Sequence, residues 1–185
     1  MLIIGITGTL GAGKGTIVEY LVEHKQFKHY SVRSYLIEEI EKRKLIVNRD
    51  SMTMIANELR AKHSPSYVTD QLYNKALISG SNCIIESIRT PGEIDSLREK
   101  DNFFLFAIDA PSEIRYQRIL QRKSETDNIS YQTFIENENR EMDTEDPNKQ
   151  NLRRCIEMAD FIFENSGSIN ELESKVEEVL IKINK

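Results

Sequence analysis

Near the start of the chain, Gly8-Thr9-Leu10-Gly11-Ala12-Gly13-Lys14-Gly15 and then Thr16 constrain the fold more than any other stretch. The spacing Gly-x4-Gly-Lys is that of a Walker A phosphate loop, with Gly15 where Ser or Thr is usual and Thr16 one place later. Before it, Leu2-Ile3-Ile4-Gly5-Ile6 is a short apolar run that reads as a buried strand. After it, residues 16–24 carry Ile17, Val18, Leu21 and Val22 at helical spacing, with Glu19 and Glu23 between. Strand, glycine loop and helix together are what a phosphate cradle needs. Glycines let consecutive N–H groups curl inward, and the helix N-terminus adds partial positive charge. Lys14 supplies a mobile full charge for the β- and γ-phosphates.

The remaining composition narrows the partners. A chain of 185 residues is one domain of ordinary size, and 39% hydrophobic with 30% charged residues reads as globular. No apolar run approaches the ~20 residues of a membrane span. Met1 leads directly into the first strand, which leaves no room for a signal peptide. Cys83 and Cys155 make neither a disulfide framework nor a zinc site and read as small buried hydrophobes in a reducing cytoplasm. The net charge of −5 argues against a nucleic acid partner. It leaves room for a small phosphorylated substrate, because a few local arginines suffice.

Further apolar runs alternate with helical patterns. Strands are expected at 29–32, 82–86, 103–108 and 160–164. Helices are expected at 35–44, 51–62, 67–79, 91–100, 112–123, 131–142, 151–158 and 169–183, several marked by Pro or Ser start signals. Residues 124–128 form a polar loop, and 143–149, with Pro147, reads as a mobile link. Five apolar strands separated by helices imply a parallel sheet covered on both faces, with ligands beyond the carboxyl ends of its strands.

Lys14-Gly15-Thr16 after the loop resembles the adenylate kinase type of nucleoside monophosphate kinase. Ile85-Glu86-Ser87-Ile88-Arg89-Thr90 looks like the Asp-Gly-x-x-Arg-Thr stretch after the third strand of those enzymes. Ala110-Pro111-Ser112-Glu113, then Arg118 and Arg122, looks like their strand-four exit and arginine helix. Ala159-Asp160, the strand to Asn165, and Gly167-Ser168-Ile169-Asn170-Glu171-Leu172 are more similar to dephospho-CoA kinases. The overall layout is most similar to an uncharacterised archaeal family of P-loop nucleotide kinases related to both. The resemblance implies a three-layer P-loop NTPase fold with a five-stranded parallel sheet. It also implies that 1–185 is a single P-loop kinase domain, with an acceptor-binding helical region at about 33–80 and a lid at about 123–145.

Roles follow residue by residue. Gly8, Leu10, Gly11, Ala12, Gly13, Gly15 and Thr16 would offer donors to the phosphates of ATP beside Lys14. Gly15 has no side-chain oxygen, so Mg2+ would be held largely through water, with Thr16 and Glu86 as its protein partners. The resemblance makes Arg89 the clamp on the acceptor phosphate; a guanidinium binds phosphate bidentately and keeps its proton. It sets Arg118 on the adenine, Arg122 on the phosphates, and Arg140 on the lid over the transferring group. The competing reading of Arg118 and Arg122 is a solvated basic face, and that of Arg140 an exposed helix charge paired with Glu136 or Glu141. Adenylate kinases carry Asp-x-x-Arg on the helix after strand two; here those places hold Ser34 and Ile37. Arg33 and Arg60 are the candidate replacements. His24, His29 and His63 form no constellation, Tyr67 and Tyr73 read as core before base pocket, and the acidic stretch 136–146 reads as a solvated face.

These readings describe an ATP-dependent phosphotransferase, foremost a nucleotide or nucleoside monophosphate kinase, as a monomer or small homo-oligomer. The alternatives are a dephospho-CoA kinase-like or other small-metabolite kinase, or a nucleotide-binding regulatory ATPase acting through a protein partner.

Overall fold

The apolar runs become strands β1 (Ile3–Gly8), β2 (Lys28–Ser31), β3 (Cys83–Glu86), β4 (Phe103–Asp109) and β5 (Phe161–Glu164). The computed structural model of the chain describes residues 1–122 and 129–184. All four strand pairings are parallel, in the order β2-β3-β1-β4-β5. The central strand β1 sets Ile4 beside Ile84 on one flank and Phe104 on the other. Because parallel crossovers cover both faces of such a sheet, its inner strands are almost continuously apolar.

Strand alternation divides the core in two. Ile3, Cys83, Ile85 and Leu105 face α2 (Val32–Lys42), α3 (Arg49–Lys62), α4 (Tyr67–Ser79), α5 (Pro91–Arg98) and α8 (Leu152–Glu157). Ile4, Ile6, Ile84, Phe106 and Ile108 face α1 (Lys14–Lys25) and α9 (Ile169–Ile183). Two further helices, α6 (Ser112–Arg122) and α7 (Tyr131–Met142), lie at the carboxyl edge of the sheet.

Helix starts differ from expectation where capping overrides apolar spacing. α2 begins at Val32, not 35, because the Ser31 hydroxyl accepts the Ser34 N–H at 3.3 Å. α3 begins at Arg49 because Asn48 and Ser51 cap each other reciprocally. The polar loop expected at 124–128 lies outside the described residues. The stretch 143–149 is not a bare link. Asn151 donates its side-chain N–H to Thr144 O at 2.8 Å and its backbone N–H to Arg89 O at 2.9 Å, which ties this segment to the end of β3.

Gly8 ends β1 at φ +133°, where an added Cβ would stand 2.0 Å from Ile108 O. At Gly15 an added Cβ meets nothing within 4 Å. Gly8→Ala should therefore cost more than about 2 kcal/mol, and Gly15→Ala should gain up to about 1 kcal/mol. Denaturant unfolding of the two variants checks both signs.

Candidate active site

The loop that joins β1 to α1 curls because Gly11 and Gly13 hold positive φ, +79° and +100°. Its carbonyls are taken up from outside. Lys14 Nζ donates to Gly8 O at 2.9 Å and Thr9 O at 2.7 Å. Asn165, just past β5, donates to Ala12 O at 2.8 Å. Arg115 on α6 donates to Leu10 O at 3.2 Å and to Ala110 O at 2.6 Å. Thr9 donates to Asp109, the last residue of β4, at 2.6 Å. A side chain at Gly13 would meet Asn165 Nδ2 at 2.3 Å. With these carbonyls committed, the loop is set to present amides to an anion.

A cavity of about 760 Å³ opens over the loop. Leu10, Gly11, Gly13, Lys14, Gly15 and Thr16 form its floor. Gly8 and Ala12 lie beneath, Ala12 fully buried. Glu86 and Arg89 after β3, Arg33 on α2, Arg60 on α3, and Arg118 and Arg122 on α6 complete the walls. Among its lining residues, seven cations (Lys14, Arg33, Arg49, Arg60, Arg89, Arg118, Arg122) oppose three carboxylates (Glu19, Glu86, Glu141). The cavity therefore suits an anionic ligand, whatever the sign of the net charge. Arg118 Nη1 is buried with no hydrogen-bond partner among the described residues, a donor left over for a ligand.

Lys14 carries its charge at a cost. Burial lowers its pKa from 10.5 to about 8, assisted by the nearby Arg89 charge and opposed by Glu86 and Glu141. Glu86 shows the opposite balance. Burial pushes its carboxyl up, but the contact from His29 Nε2 at 3.3 Å and the Lys14 charge outweigh that and hold it below its ordinary value. His29, assigned no role from sequence, thus orients Glu86. Ser87, next to Glu86, holds a left-handed conformation at φ +74°, a region that favours glycine.

The arginines divide into distinct groups. The Arg89 guanidinium contacts Glu141 and donates to Gln150 Oε1 at 3.0 Å. Glu93 takes only its backbone N–H, at 2.7 Å. Arg60 is sequestered: its side chain, 2% exposed, pairs at 3.3 Å with Glu93, 1% exposed. Arg33 is exposed at the rim. Arg140 departs from expectation. It is not among the residues lining the cavity, its side chain is 51% exposed, and it pairs with Asp50. Helix register explains this, since consecutive residues point about 100° apart. Phe134, Glu138 and Glu141 share the inward face of α7, and Arg140 lies off it.

The acidic stretch at 136–146 is consequently not a uniformly solvated face. Glu138 grips Arg115, with one oxygen at 2.9 Å from Nη2, and Glu141 binds both Arg49 and Arg89. Tyr67 stacks on His63 at 4.1 Å and, like Tyr73, packs on the core. Sequence reasoning missed Arg49, Glu141, Gln150 and Asn165. The i, i+4, i+7 spacing from Phe134 was the available signal for Glu141. As for a metal, no group of three or more His, Cys, Asp or Glu is placed to hold one among the described residues. Thr16 and Glu86 share the cavity with Lys14, a sparse oxygen set that fits a magnesium ion carried on phosphates and reached through water.

Comparison with known proteins agrees with this architecture. A family model described as an AAA domain matches residues 4–146. A UPF0200 protein from Methanococcus maripaludis is 29% identical over 187 residues, covering 99% of this chain and 98% of that protein. The UPF0200/UPF0201 protein of Archaeoglobus fulgidus is 27% identical over 190 residues; the chain spans only 57% of its length. Among solved structures, a sugar kinase from Janibacter sp. superposes with TM-score 0.58 at 13% identity, covering 97% of this chain and 94% of that one. Shikimate kinase from Aquifex aeolicus does so with TM-score 0.53 at 15% identity over 98% and 97%. Dephospho-CoA kinase from Campylobacter jejuni gives TM-score 0.50 at 16% identity over 98% and 96%. The fold is that of the P-loop kinases.

The lowered Lys14 pKa carries a stability signature. Between pH 8 and 10.5 the unfolded chain holds the Lys14 proton more tightly than the native one, so stability rises with pH in that window. The stability of ligand-free wild type minus that of Lys14→Met should therefore increase by up to about 3 kcal/mol from pH 8 to 10.5. Denaturant unfolding at stepped pH measures it, and a pH-independent difference contradicts it.

Proposed function

We propose that this chain, which belongs to the AAA domain family, is an ATP-dependent phosphotransferase of the nucleoside monophosphate kinase type. One observation carries the reading: a single cavity joins the phosphate loop to a second cationic wall at Arg89, with an apolar slot beside it. That slot is built by Val32 and Leu36 of α2 and by Met52 and Ala56 of α3. Such a surface suits a flat base better than the ring of a sugar or of shikimate. Each hydroxyl of those ligands would need a polar partner to offset its desolvation.

In this reading the loop amides and Lys14 hold the donor phosphates, while Arg118 and Ile119 flank the donor base. Arg89 holds the acceptor's phosphate and Arg122 faces the charge that develops between donor and acceptor. Thr16 and Glu86 would hold magnesium through water, and the ion would supply neutralising charge to the donor phosphates. A phosphate acceptor is already an anion and needs no base. For a hydroxyl acceptor, Glu86 is the group positioned to take the proton. Arg33 would meet the acceptor at the rim, and Arg60, held by Glu93, would offer it the Nε donor that has no hydrogen-bond partner among the described residues. Proximity and exclusion of water supply the rest of the rate. The reaction belongs in the cytoplasm, where ATP is abundant; among the described residues no helix is long and apolar enough to cross a membrane.

An ATP-consumption screen with magnesium against ribo- and deoxyribonucleoside monophosphates and dephospho-CoA tests the reading. ADP release that depends on one nucleoside monophosphate supports it. Preference for dephospho-CoA would move the chain to that class, and slow release indifferent to every acceptor would favour a regulatory ATPase. Lys14→Ala should lower kcat by at least a hundredfold, as expected for a group that follows the transferring charge. Arg89→Ala should raise the acceptor KM at least tenfold while the ATP KM stays within about twofold.

A further inference from the structure

Arg89 does not stand alone on its wall. Arg49, from the first turn of α3, contacts Glu141 Oε1 through Nη2, and Arg89 contacts Oε2 through Nη1. Two guanidiniums from separate elements thus converge on the two oxygens of one carboxylate, at the surface of the cavity. The side chain of Glu141 is 7% exposed. Burial pushes its carboxyl up, yet Arg89 and Arg49 outweigh that and keep it ionised. Arg49 Nε is buried with no hydrogen-bond partner among the described residues, so one donor of this pair remains unfilled. Neither residue replaces the arginine that Ser34 and Ile37 leave missing by sequence position; Arg49 comes from the next helix.

We propose that Arg49 and Arg89 form the clamp for the acceptor's phosphate, and that Glu141 is its internal occupant, displaced when that phosphate arrives. This rests on the reading that the cavity takes a phosphorylated acceptor. A carboxylate gives two oxygens and a single charge to two guanidiniums. A terminal phosphate gives three oxygens and nearly two charges, enough to keep both contacts and to satisfy Arg49 Nε as well. Without an anion, the pair would be two like charges held together in a partly buried wall, and Glu141 removes that penalty. Returning Glu141 to water is the cost that the acceptor must meet. A ligand without a phosphate brings no charge to offset it, so the device selects phosphorylated acceptors. Glu141 sits in the last turn of α7, so its displacement frees that turn from the segment after β3 and leaves the Arg140–Asp50 pair as its ion-pair tie to α3.

Calorimetric titration of inorganic phosphate into protein saturated with magnesium and a non-hydrolysable ATP analogue isolates this site, because the triphosphate fills the phosphate loop through its γ-position. Glu141→Gln, with the internal charge gone, should bind phosphate at least tenfold more tightly than wild type. Arg49→Ala should bind it at least tenfold more weakly. Equal or weaker binding by folded Glu141→Gln overturns the proposal and leaves Glu141 a structural strut. In the wild-type protein, the Arg49 Nε–H resonance should shift on phosphate addition, and an unmoved resonance likewise overturns it. Failure to bind the magnesium-bound analogue in the first step would instead count against the donor reading, which keeps the two failures apart. Under turnover, Glu141→Gln should lower the acceptor KM with a smaller change in kcat.

Discussion

A curled loop of peptide groups has amides on its inner side and carbonyls on its outer side, and both must be satisfied. In this chain the outer side is satisfied by the protein itself. Lys14, Asn165 and Arg115 reach Gly8, Thr9, Ala12 and Leu10 from α1, the end of β5 and α6. Every one of these donors sits at the carboxyl edge of the sheet, and the order β2-β3-β1-β4-β5 brings those edges together. The site exists because β1 lies in the middle. Its loop has β3 and its Glu86–Arg89 exit on one side, and β4 and β5 with Asp109 and Asn165 on the other.

The second constraint is charge. The chain has five more acidic than basic charges overall, yet its cavity wall is dominated by guanidiniums. Cations gathered for a ligand repel one another until it comes. The structure meets this with buried carboxylates: Glu93 on Arg60, and Glu141 on Arg49 and Arg89. Some of these pairs are permanent struts. The Arg60–Glu93 pair is almost wholly buried, although Arg60 lines the cavity. The Glu141 pair borders the cavity and faces the position where an anion is wanted.

The sheet, the loop and the helix ranges at 67–79, 131–142 and 169–183 were legible in the sequence. Apolar runs, punctuation by Gly and Pro, and helical periodicity are local signals. Lys14, Glu86, Arg89, Arg118 and Arg122 were also legible, because they sit at strand ends or one helical turn apart. What could not be read were partners chosen across the fold. Glu141 meets Arg49 across 92 residues and Asn165 meets Ala12 across 153; no spacing rule spans such distances. Arg140 stands outside the cavity for a subtler reason. Resemblance favours an arginine on that helix, whereas the apolar stripe through Phe134 turns its neighbour Glu141 inward. Arg60 was legible as a cavity residue but not as a bound one, since Glu93 lies on a different helix.

At the centre of the account is one cavity with two anion-binding ends, the phosphate loop and the wall at Arg89. Equilibrium titration with two nucleosides joined by a five-phosphate chain, compared with ADP, measures this most directly, since the linked ligand reaches both ends at once. The account predicts one ligand per chain, bound at least a hundredfold more tightly than ADP, with most of that gain lost in Arg89→Ala. Binding no tighter than ADP, or a gain untouched by Arg89→Ala, would contradict it.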